Sequence, residues 1–380
     1  MDLQAKLPPG CSSSSERPLV SVILAVLNEA AHIRQCIDSL LNQEAQDFDL
    51  EILAIDGMSK DGTKEILQEI AATEPRLRVL ENQQRRTPFA FNLGLRGARG
   101  EYICIFGSHT SYRKDYISVC LKELIAQNAV ACVGRIVTRP ANATLGGQLV
   151  AWAVSHPFGS SRKSFRTQRE GFSETANYPV ARKAAFLEVG GFSEQLLRNQ
   201  DNDMGQKLRA KGHKFYCTWK TECYYYPAGS LKDLLAYVYR TGFWNVISFK
   251  KNFACMGIRH FVPFLFLIAL LSTSIVAAGR LLFPPADAVL ASLPFRLLLG
   301  LHLAAGSVSA LQVAWRERAP AALCLPFVFL GLHLAYGFGS LCAFVRGARI
   351  PSLPPESPAE AKGLTKEALS GSEVLHSTRS

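Results

Sequence analysis

Val20–Glu29 (VSVILAVLNE) and Leu50–Thr63 (LEILAIDGMSKDGT) are two apolar runs that each end in a polar turn. Both runs are short and contain few polar residues, a pattern typical of strands buried on both faces of a parallel sheet. The second run ends on Asp56 and leads into a helix-like segment. Ligands bind beyond the carboxyl ends of the strands in an open parallel sheet, so Asp56 is predicted to accept hydrogen bonds from a nucleoside base or ribose.

Strand-like and helix-like segments alternate through residues 20–133. This alternation predicts a parallel sheet that is covered by helices on both faces. Residues 134–178 are less regular. They include a basic stretch formed by Arg162, Lys163, Arg166 and Arg169. Beyond them, the spacing of apolar residues predicts helices at 182–189 and 200–211 and a strand at 214–218.

Together the two opening runs resemble the start of family 2 glycosyltransferases, which have the GT-A fold. Within that family the chain is most similar to membrane-attached, succinoglycan-type exopolysaccharide biosynthesis glycosyltransferases, from about Val20 to about Asn252. The resemblance implies an α/β domain at residues 19–252 that contains a nucleotide-sugar-binding, Rossmann-like mixed sheet. It also implies transfer of a sugar from a nucleotide-sugar donor, for which a UDP-sugar is expected.

The resemblance further implies which residues contact the donor. They are Leu27, Asn28, Glu29, Asp56, Arg86, Asn92 and Ser108. The guanidinium group of Arg86 could bind a diphosphate through two parallel hydrogen bonds. Structural roles fit some of these residues equally. Asp56 could cap its own turn through the backbone, Asn92 could be a satisfied amide on a helix face, and Arg86 could belong to a solvated loop.

The stretch Ile105–Thr110 (IFGSHT) departs from the family pattern, which usually has Asp-x-Asp or Asp-x-His at this strand end. Such acids hold a divalent cation that bridges the donor diphosphate. Here Gly107 replaces the first acid, and His109 remains as the candidate ligand. A lone histidine suits Mn²⁺ better than Mg²⁺. We therefore expect the cation site to be weakened or lost.

Arg198–Asp203 (RNQDND) resembles the family's Glu-Asp motif at a helix start, with Gln200 in place of the glutamate. An inverting transfer needs a base that takes the proton of the acceptor hydroxyl. Asp201 is predicted to be this base, and the positive end of the helix dipole favours its ionised form. Asp203 is expected to orient the acceptor or to cap the same turn. The structural alternative is that Asp201 serves as a helix cap and nothing more.

Tyr237–Trp244 (YVYRTGFW) is similar to the Arg-Trp element of related membrane glycosyltransferases, although the spacing differs. The resemblance implies that Arg240 binds the donor diphosphate and that Trp244 stacks beneath a sugar. An amphipathic helix at the membrane interface would place the same aromatic side chains at headgroup depth. The sequence leaves both interpretations open.

The chain has a formal net charge of +11. A basic balance suits nucleic acid, anionic lipid or a phosphate-bearing ligand. Because the positive charge adjoins hydrophobic segments, we expect membrane lipid and phosphate-bearing ligands rather than nucleic acid. The 10 cysteines form no CxxC motif, which favours buried thiols in a reducing compartment.

Residues 253–345 are predicted to form a membrane region with two to three transmembrane helices. The candidate spans are Phe261–Gly279, Val289–Val313 and Ala321–Val345. Their lengths lie close to the 20 or so residues that cross a bilayer. Lys250, Lys251 and Arg259 precede the first candidate and favour a multi-pass membrane protein with a cytosolic catalytic domain. The polar segments 1–18 and 346–380 are predicted to be disordered.

These patterns predict a membrane-attached inverting glycosyltransferase of exopolysaccharide or cell-surface glycan synthesis. The expected acceptor is a polyprenyl-diphosphate-linked saccharide or another glycan, and other glycan-assembly proteins are candidate partners. The alternative is a catalytically impaired relative that binds nucleotide or glycan as a scaffold, which Gly107 and Gln200 would favour. A nucleotidyltransferase ranks lower, because the loop after the first strand lacks glycine and arginine.

Overall fold

The computed structural model describes residues 17–107, 110–174, 177–282 and 288–352, without the side chains of 280–282 and 288–291. The predictions of disorder for 1–18 and 346–380 therefore fall almost entirely outside the described residues. Ser108 and His109 also lie outside them.

Nine strands form one sheet in the described part of the chain. They are β1 (Leu19–Val26), β2 (Asp49–Asp56), β3 (Leu77–Glu81), β4 (Tyr102–Phe106), β5 (Thr110–Tyr112), β6 (Ala131–Thr138), β7 (Gly171–Ser173), β8 (Val180–Arg182) and β9 (Phe215–Tyr225). The order is β3-β2-β1-β4-β8-β6-β9-β5, and β7 pairs with β9. The sheet is mixed, which confirms the predicted fold class.

The strand direction changes at β8, which lies between β4 and β6. β1 to β4 are parallel, as their alternation with helices predicted. β8 then runs antiparallel to both β4 and β6. It has three residues, which is too short for a periodic signal in the sequence. The reversal brings the chain that precedes β8 to the carboxyl end of β4.

Twelve helices lie within the described residues. They are α1 (Ile33–Leu41), α2 (Thr63–Thr73), α3 (Thr87–Gly97), α4 (Tyr116–Ala126), α5 (Leu145–Ser155), α6 (Pro157–Ser160), α7 (Lys183–Glu188), α8 (Gln200–Ala210), α9 (Leu231–Lys251), α10 (Val262–Leu282), α11 (Ala288–Glu317) and α12 (Leu325–Val345). Helices α1, α2 and α4 pack on one face of the sheet, and α3, α7 and α8 on the other. This layering follows from the alternation of β1, in which Val22 and Leu24 face one core and Ile23 the other.

Helix α5 lies within the less regular segment 134–178, where the sequence analysis identified no helix. Its N-terminus is capped by Thr144, whose Oγ1 accepts a hydrogen bond of 3.1 Å from the Gly147 amide. Leu149, Val150 and Ala153 then pack into a third core, formed with α9, α11 and α12. Two glycines in the first turn weaken the intrinsic helix propensity, and burial against the C-terminal helices offsets this.

Three C-terminal helices are long and apolar enough to cross a membrane: Val262–Gly279, Ser292–Glu317 and Pro320–Val345. Their length and composition fit the three-span alternative. Helix α9 crosses α12 with backbones in close approach, because a methyl group at Gly242 or Gly339 would overlap a carbonyl oxygen of the other helix. The Ser340 hydroxyl also donates a hydrogen bond of 2.9 Å to the Gly242 carbonyl. This crossing fixes α9 to the apolar helices.

Candidate active site

The first part of the site is the junction of the loops that follow β1 and β2. Val26 and Asp56 are paired in register, so the two strands end side by side. Asn28 adopts a left-handed conformation with φ of 55°. Its backbone amide donates to the Ser59 hydroxyl at 2.9 Å, and its side-chain oxygen accepts from the Lys60 amide at 3.0 Å. Asn28 therefore joins the two loops.

Asp56 is fully buried at this junction, and its carboxylate accepts a hydrogen bond of 3.1 Å from the Ser59 amide. Turn capping, the alternative role for this residue, is thus present, and its contact with a nucleoside stays a prediction. The amide of Glu29 donates to the Thr63 hydroxyl at 2.8 Å. Leu27 is 41% exposed beside them. The four residues lie together at the carboxyl edge of the sheet.

Arg86 immediately precedes α3, and Asn92 lies within it. Their surroundings differ. Arg86 is half-buried, and its Nη1 has no hydrogen-bond partner among the described residues. Asn92 has a fully engaged amide: it accepts from the Phe192 amide at 2.8 Å and donates to the Phe192 carbonyl and the Glu194 carboxylate. These contacts fit the structural alternative of a satisfied amide that holds the Gly190–Phe192 turn, and the contact of Asn92 with the donor stays a prediction.

Gly107 ends β4 at the same edge. A carboxylate that lies near it in sequence, that of Asp115, is already bound to Arg113 and Thr221, each at 2.7 Å. No three His, Cys, Asp or Glu side chains cluster as metal ligands within the described residues. The described residues therefore do not supply a cation site, and His109 stays a predicted ligand.

Asp201 lies in the first turn of α8 and has an oriented carboxylate. Its Oδ2 accepts a hydrogen bond of 2.7 Å from the Asn177 side chain, and its Oδ1 accepts one of 2.9 Å from the Asn202 amide. Asn177 precedes β8, so it links Asp201 to the edge where β4 ends. Each carboxylate oxygen retains a lone pair for a further donor. This geometry suits a base whose orientation is fixed.

The Asp201 side chain lines a cavity of about 740 Å³ between the sheet domain and the C-terminal helices. Its polar wall includes Arg166, Arg198, Arg259 and His260. Its apolar wall continues along α9, α10 and α12 through Leu234, Val238, Val262, Pro263 and Leu332. Burial, followed by the adjacent Arg259, lowers the pKa of His260 to about 4. His260 is therefore neutral at pH 7.

Three other predicted site residues do not line this cavity. Asp203 is 1% exposed, and its carboxylate binds Asn252 at 2.9 Å and Lys207 at 3.1 Å. Arg240 is exposed and donates to a carbonyl of its own helix at 3.2 Å. Trp244 is half-buried on α9. These contacts hold the Asp203 carboxylate in place beside α8. The roles predicted for Asp203, Arg240 and Trp244 stay predictions.

The sequence interpretation missed the cavity-facing side of α9. Tyr237 and Thr241 lie one helical turn apart and both face the cavity. The Arg198 guanidinium lies 4.8 Å from the centre of the Tyr237 ring and donates to the Thr241 hydroxyl at 3.2 Å. The i, i+4 spacing of Tyr237 and Thr241, which puts two residues on the same face of a helix, was the sequence signal that could have identified this side of α9. Arg166 was noted as part of a basic stretch, but it was given no role.

Comparison with known proteins places this geometry in a family context. Residues 21–189 match the model of glycosyl transferase family 2. The succinoglycan biosynthesis protein ExoA of Rhizobium meliloti (strain 1021) is 27% identical over 264 residues, which cover 69% of this chain and 77% of the relative.

A second relative matches a larger share of the chain. It is a dolichyl N-acetyl-alpha-D-glucosaminyl phosphate 3-beta-D-2,3-diacetamido-2,3-dideoxy-beta-D-glucuronosyltransferase of Methanococcus voltae, 24% identical over 336 residues. The match covers 86% of this chain and 98% of the relative. Among solved structures, the mannosyltransferase PcManGT of Pyrobaculum calidifontis, in complex with GDP-Man and Mn²⁺, matches with a TM-score of 0.51 and 17% identity. It covers 85% of this chain and 88% of the neighbour, and it shows the shared fold.

Proposed function

Because this chain is a family 2 glycosyltransferase, with residues 21–189 matching the family model, we propose that it moves a sugar from a UDP-sugar to a lipid-linked saccharide at a membrane surface. Action on nucleotide sugars in exopolysaccharide or glycan synthesis is the general function of such relatives. The nucleotide, the acceptor and the inverting course of the reaction are the proposed parts. The proposal also includes a polysaccharide as the acceptor instead of the lipid-linked saccharide.

The position of Asp201 is the observation that carries the proposal. Its carboxylate faces a cavity with one wall from the catalytic domain and another from helices long enough to cross a membrane. A saccharide attached to a membrane lipid could bring its hydroxyl to Asp201 from that side. The relative from Methanococcus voltae is named for a dolichyl-phosphate-linked acceptor, which supports the same class of acceptor here.

The proposed mechanism is a single displacement at the anomeric carbon. Asp201 takes the proton of the acceptor hydroxyl while that oxygen forms a bond to the anomeric carbon. The bond between this carbon and the donor phosphate oxygen breaks, and the nucleoside diphosphate leaves with the electron pair. We assign the stabilisation of that negative charge to Arg86, whose Nη1 has no hydrogen-bond partner among the described residues.

A divalent cation is compatible with the fold, since the solved neighbour is described with both Mn²⁺ and its donor. A bound cation would neutralise charge on the leaving diphosphate. In this chain His109 is the proposed ligand, and Mn²⁺ suits it better than Mg²⁺. The described residues do not complete a site for it.

The proposed orientation places the catalytic domain in the cytosol. Lys250, Lys251 and Arg259 lie between the sheet domain and the first span. Positive charge beside a span favours the cytoplasmic side of the membrane. Nucleotide sugars would reach the carboxyl edge of the sheet from that side.

A transfer assay tests the proposal. The full chain in detergent is incubated with radiolabelled UDP-glucose, UDP-galactose, UDP-N-acetylglucosamine or GDP-mannose and a polyprenyl-diphosphate-linked monosaccharide. We expect one UDP-sugar to transfer its label to the organic-phase lipid. Transfer from GDP-mannose alone would contradict the UDP assignment, and absence of transfer from every donor would contradict the lipid-linked acceptor.

The scaffold alternative is supported by two positions, Gly107 and Gln200, where the family pattern usually has an acid. It predicts nucleotide or glycan binding without turnover. The assay separates the two functions when UDP binding is measured by calorimetry on the same preparation: binding without transfer to either lipid-linked or soluble glycan acceptors would favour the scaffold.

A further inference from the structure

We infer that Arg166 and Arg198 form a binding site for the phosphate or diphosphate group of a substrate, in the wall of the Asp201 cavity. The inference deepens the proposed function, on which it rests for the identity of the molecule that carries the phosphate. Both arginines line the cavity.

Arg166 is held by aromatic rings rather than by an acid. Its guanidinium lies 4.2 Å from the centre of the Phe165 ring and 4.9 Å from that of Tyr225. Nη2 donates a hydrogen bond of 3.1 Å to the Tyr225 hydroxyl, whereas the buried Nε has no partner among the described residues. A buried donor without a partner is costly. The position of this donor in a cavity wall points to a ligand that supplies an acceptor.

Arg198 has the same kind of surroundings. Its guanidinium packs over Tyr237 and donates to the Thr241 hydroxyl. Burial lowers the pKa of Arg198, which reflects the cost of keeping its charge away from water. Neither Arg198 nor Arg166 makes a salt bridge with an acid in the described ranges.

Arg259 provides a comparison within the same cavity. Its Nη1 lies 3.3 Å from the Glu174 carboxylate, so its charge is compensated by the protein. Charges in a low-dielectric wall are normally paired. The two cavity arginines without such a pair therefore leave positive charge for an anionic ligand to neutralise.

Phosphate oxygens match this site chemically. Arginine presents a planar set of N–H donors that can bind two phosphate oxygens at once. A diphosphate could engage both guanidinium groups, while the apolar wall at Val238, Val262 and Leu332 could lie along a hydrocarbon chain. A lipid diphosphate is thus one source of the ligand.

The donor nucleotide is the second source. Phe165 and Tyr225, which pack on Arg166, also contact Tyr178, with ring centres 6.4 Å from that of Tyr178 in both cases. A methyl group at Gly107 would lie 3.0 Å from Tyr178. The aromatic group therefore connects Arg166 to the carboxyl edge of the sheet, where the donor diphosphate would lie. The two sources share one chemistry, and binding measurements distinguish them.

The test uses the full chain in detergent and isothermal titration calorimetry with farnesyl diphosphate, farnesol and UDP. The variants are Arg166→Gln and Arg198→Gln, with Arg166→Lys and Arg198→Lys to retain the charge. Arg34→Gln, on the exposed face of α1, is the matched control. Circular dichroism and gel filtration show which variants are folded.

If the ligand is a lipid diphosphate, we expect farnesyl diphosphate to bind and each Gln variant to lower its affinity by about 10-fold or more. UDP binding would be unchanged, farnesol would bind weakly, and the Lys variants would retain part of the affinity. If the Gln variants instead weaken UDP, the same site serves the donor.

The inference is overturned if the folded variants bind both diphosphates with the affinity of the natural chain. It is also overturned if the natural chain binds neither. Because binding is measured without turnover, intact and arginine-dependent diphosphate binding together with a failed transfer assay would count against the proposed function alone.

Discussion

The side-chain amide of Asn199 donates a hydrogen bond of 2.8 Å to the side-chain oxygen of Asn245. Asn199 immediately precedes α8 in a left-handed conformation with φ of 61°, two residues before Asp201. Asn245 is buried on α9 and donates in turn to the Tyr336 hydroxyl of α12. The turn that carries the proposed base is therefore fixed to a membrane-type helix by side-chain hydrogen bonds.

Asn245→Ala should reduce kcat because it releases this turn and lets Asp201 move from its working position. Small displacements of a catalytic group cost about 10- to 100-fold in rate. The donor KM should change little, since Asn28 and Asp56 are held by Ser59 and Lys60 and not by this hydrogen-bond chain. Steady-state kinetics of glycosyl transfer measures both constants. Asn42→Ala, at the exposed end of α1, is the control, and a variant with unchanged kcat would show that the link does not position the base.

Gly339→Ala should destabilise the packing of α9 on α12, because the added methyl group overlaps the Tyr239 carbonyl oxygen. Overpacking of this kind costs about 1–3 kcal/mol. The thermal midpoint in detergent should fall. The matched control is Gly300→Ala on α11, where a methyl group meets no atom within 4 Å. Equal midpoints for the two variants would mean that the crossing is not tightly packed.

Gly107→Asp should make UDP binding more dependent on Mn²⁺, because it restores a carboxylate at the end of β4. A Cβ atom there would meet Tyr178 at 3.0 Å and Thr110 at 3.3 Å, so a small local shift accommodates it. Gly107→Asn has the same size without the charge and is the control. Calorimetry with and without Mn²⁺ should show a gain of about 10-fold or more for the Asp variant alone. A similar gain in both variants would argue against a cation at this position.

The stability of the chain should decrease as the pH falls from about 6.5 to about 4. These two values are the pKa of His260 in the unfolded chain and in the folded chain. In this window the unfolded chain binds a proton that the folded chain does not, so acid favours unfolding. The contribution is at most about 3 kcal/mol. His260→Gln should flatten the pH dependence of thermal unfolding, whereas the exposed His32→Gln should not. An unchanged slope in the first variant would contradict the burial of His260.

The sequence was sufficient for elements whose signal is local. The apolar runs of β1 and β2 predicted the positions of these strands to within a few residues. Helix α5 was missed because Gly146 and Gly147 weaken its helix propensity, while its stability comes from contact with α9, α11 and α12, which lie much later in the chain. Such contacts leave no local pattern.

In the candidate site, too, some features have a local sequence signal and others depend on the tertiary structure. Asp201 could be found from its motif, and the structure places it in a cavity. Successive residues of a helix point in directions about 100° apart. Tyr237 and Thr241 therefore face the cavity, whereas Arg240 does not line it. Motif similarity alone could not set this rotation. The sequence also could not show what Arg198 binds, because its hydrogen-bond partner Thr241 is 43 residues away.

The most direct test of the account is glycosyl transfer by Asp201→Asn, compared with the natural chain and with the exposed control Asp47→Asn. The asparagine has nearly the same shape but cannot take the acceptor proton. We expect transfer to fall by about 100- to 10 000-fold while calorimetric UDP binding stays unchanged. Transfer at the natural rate by Asp201→Asn would contradict the assignment of Asp201 as the base.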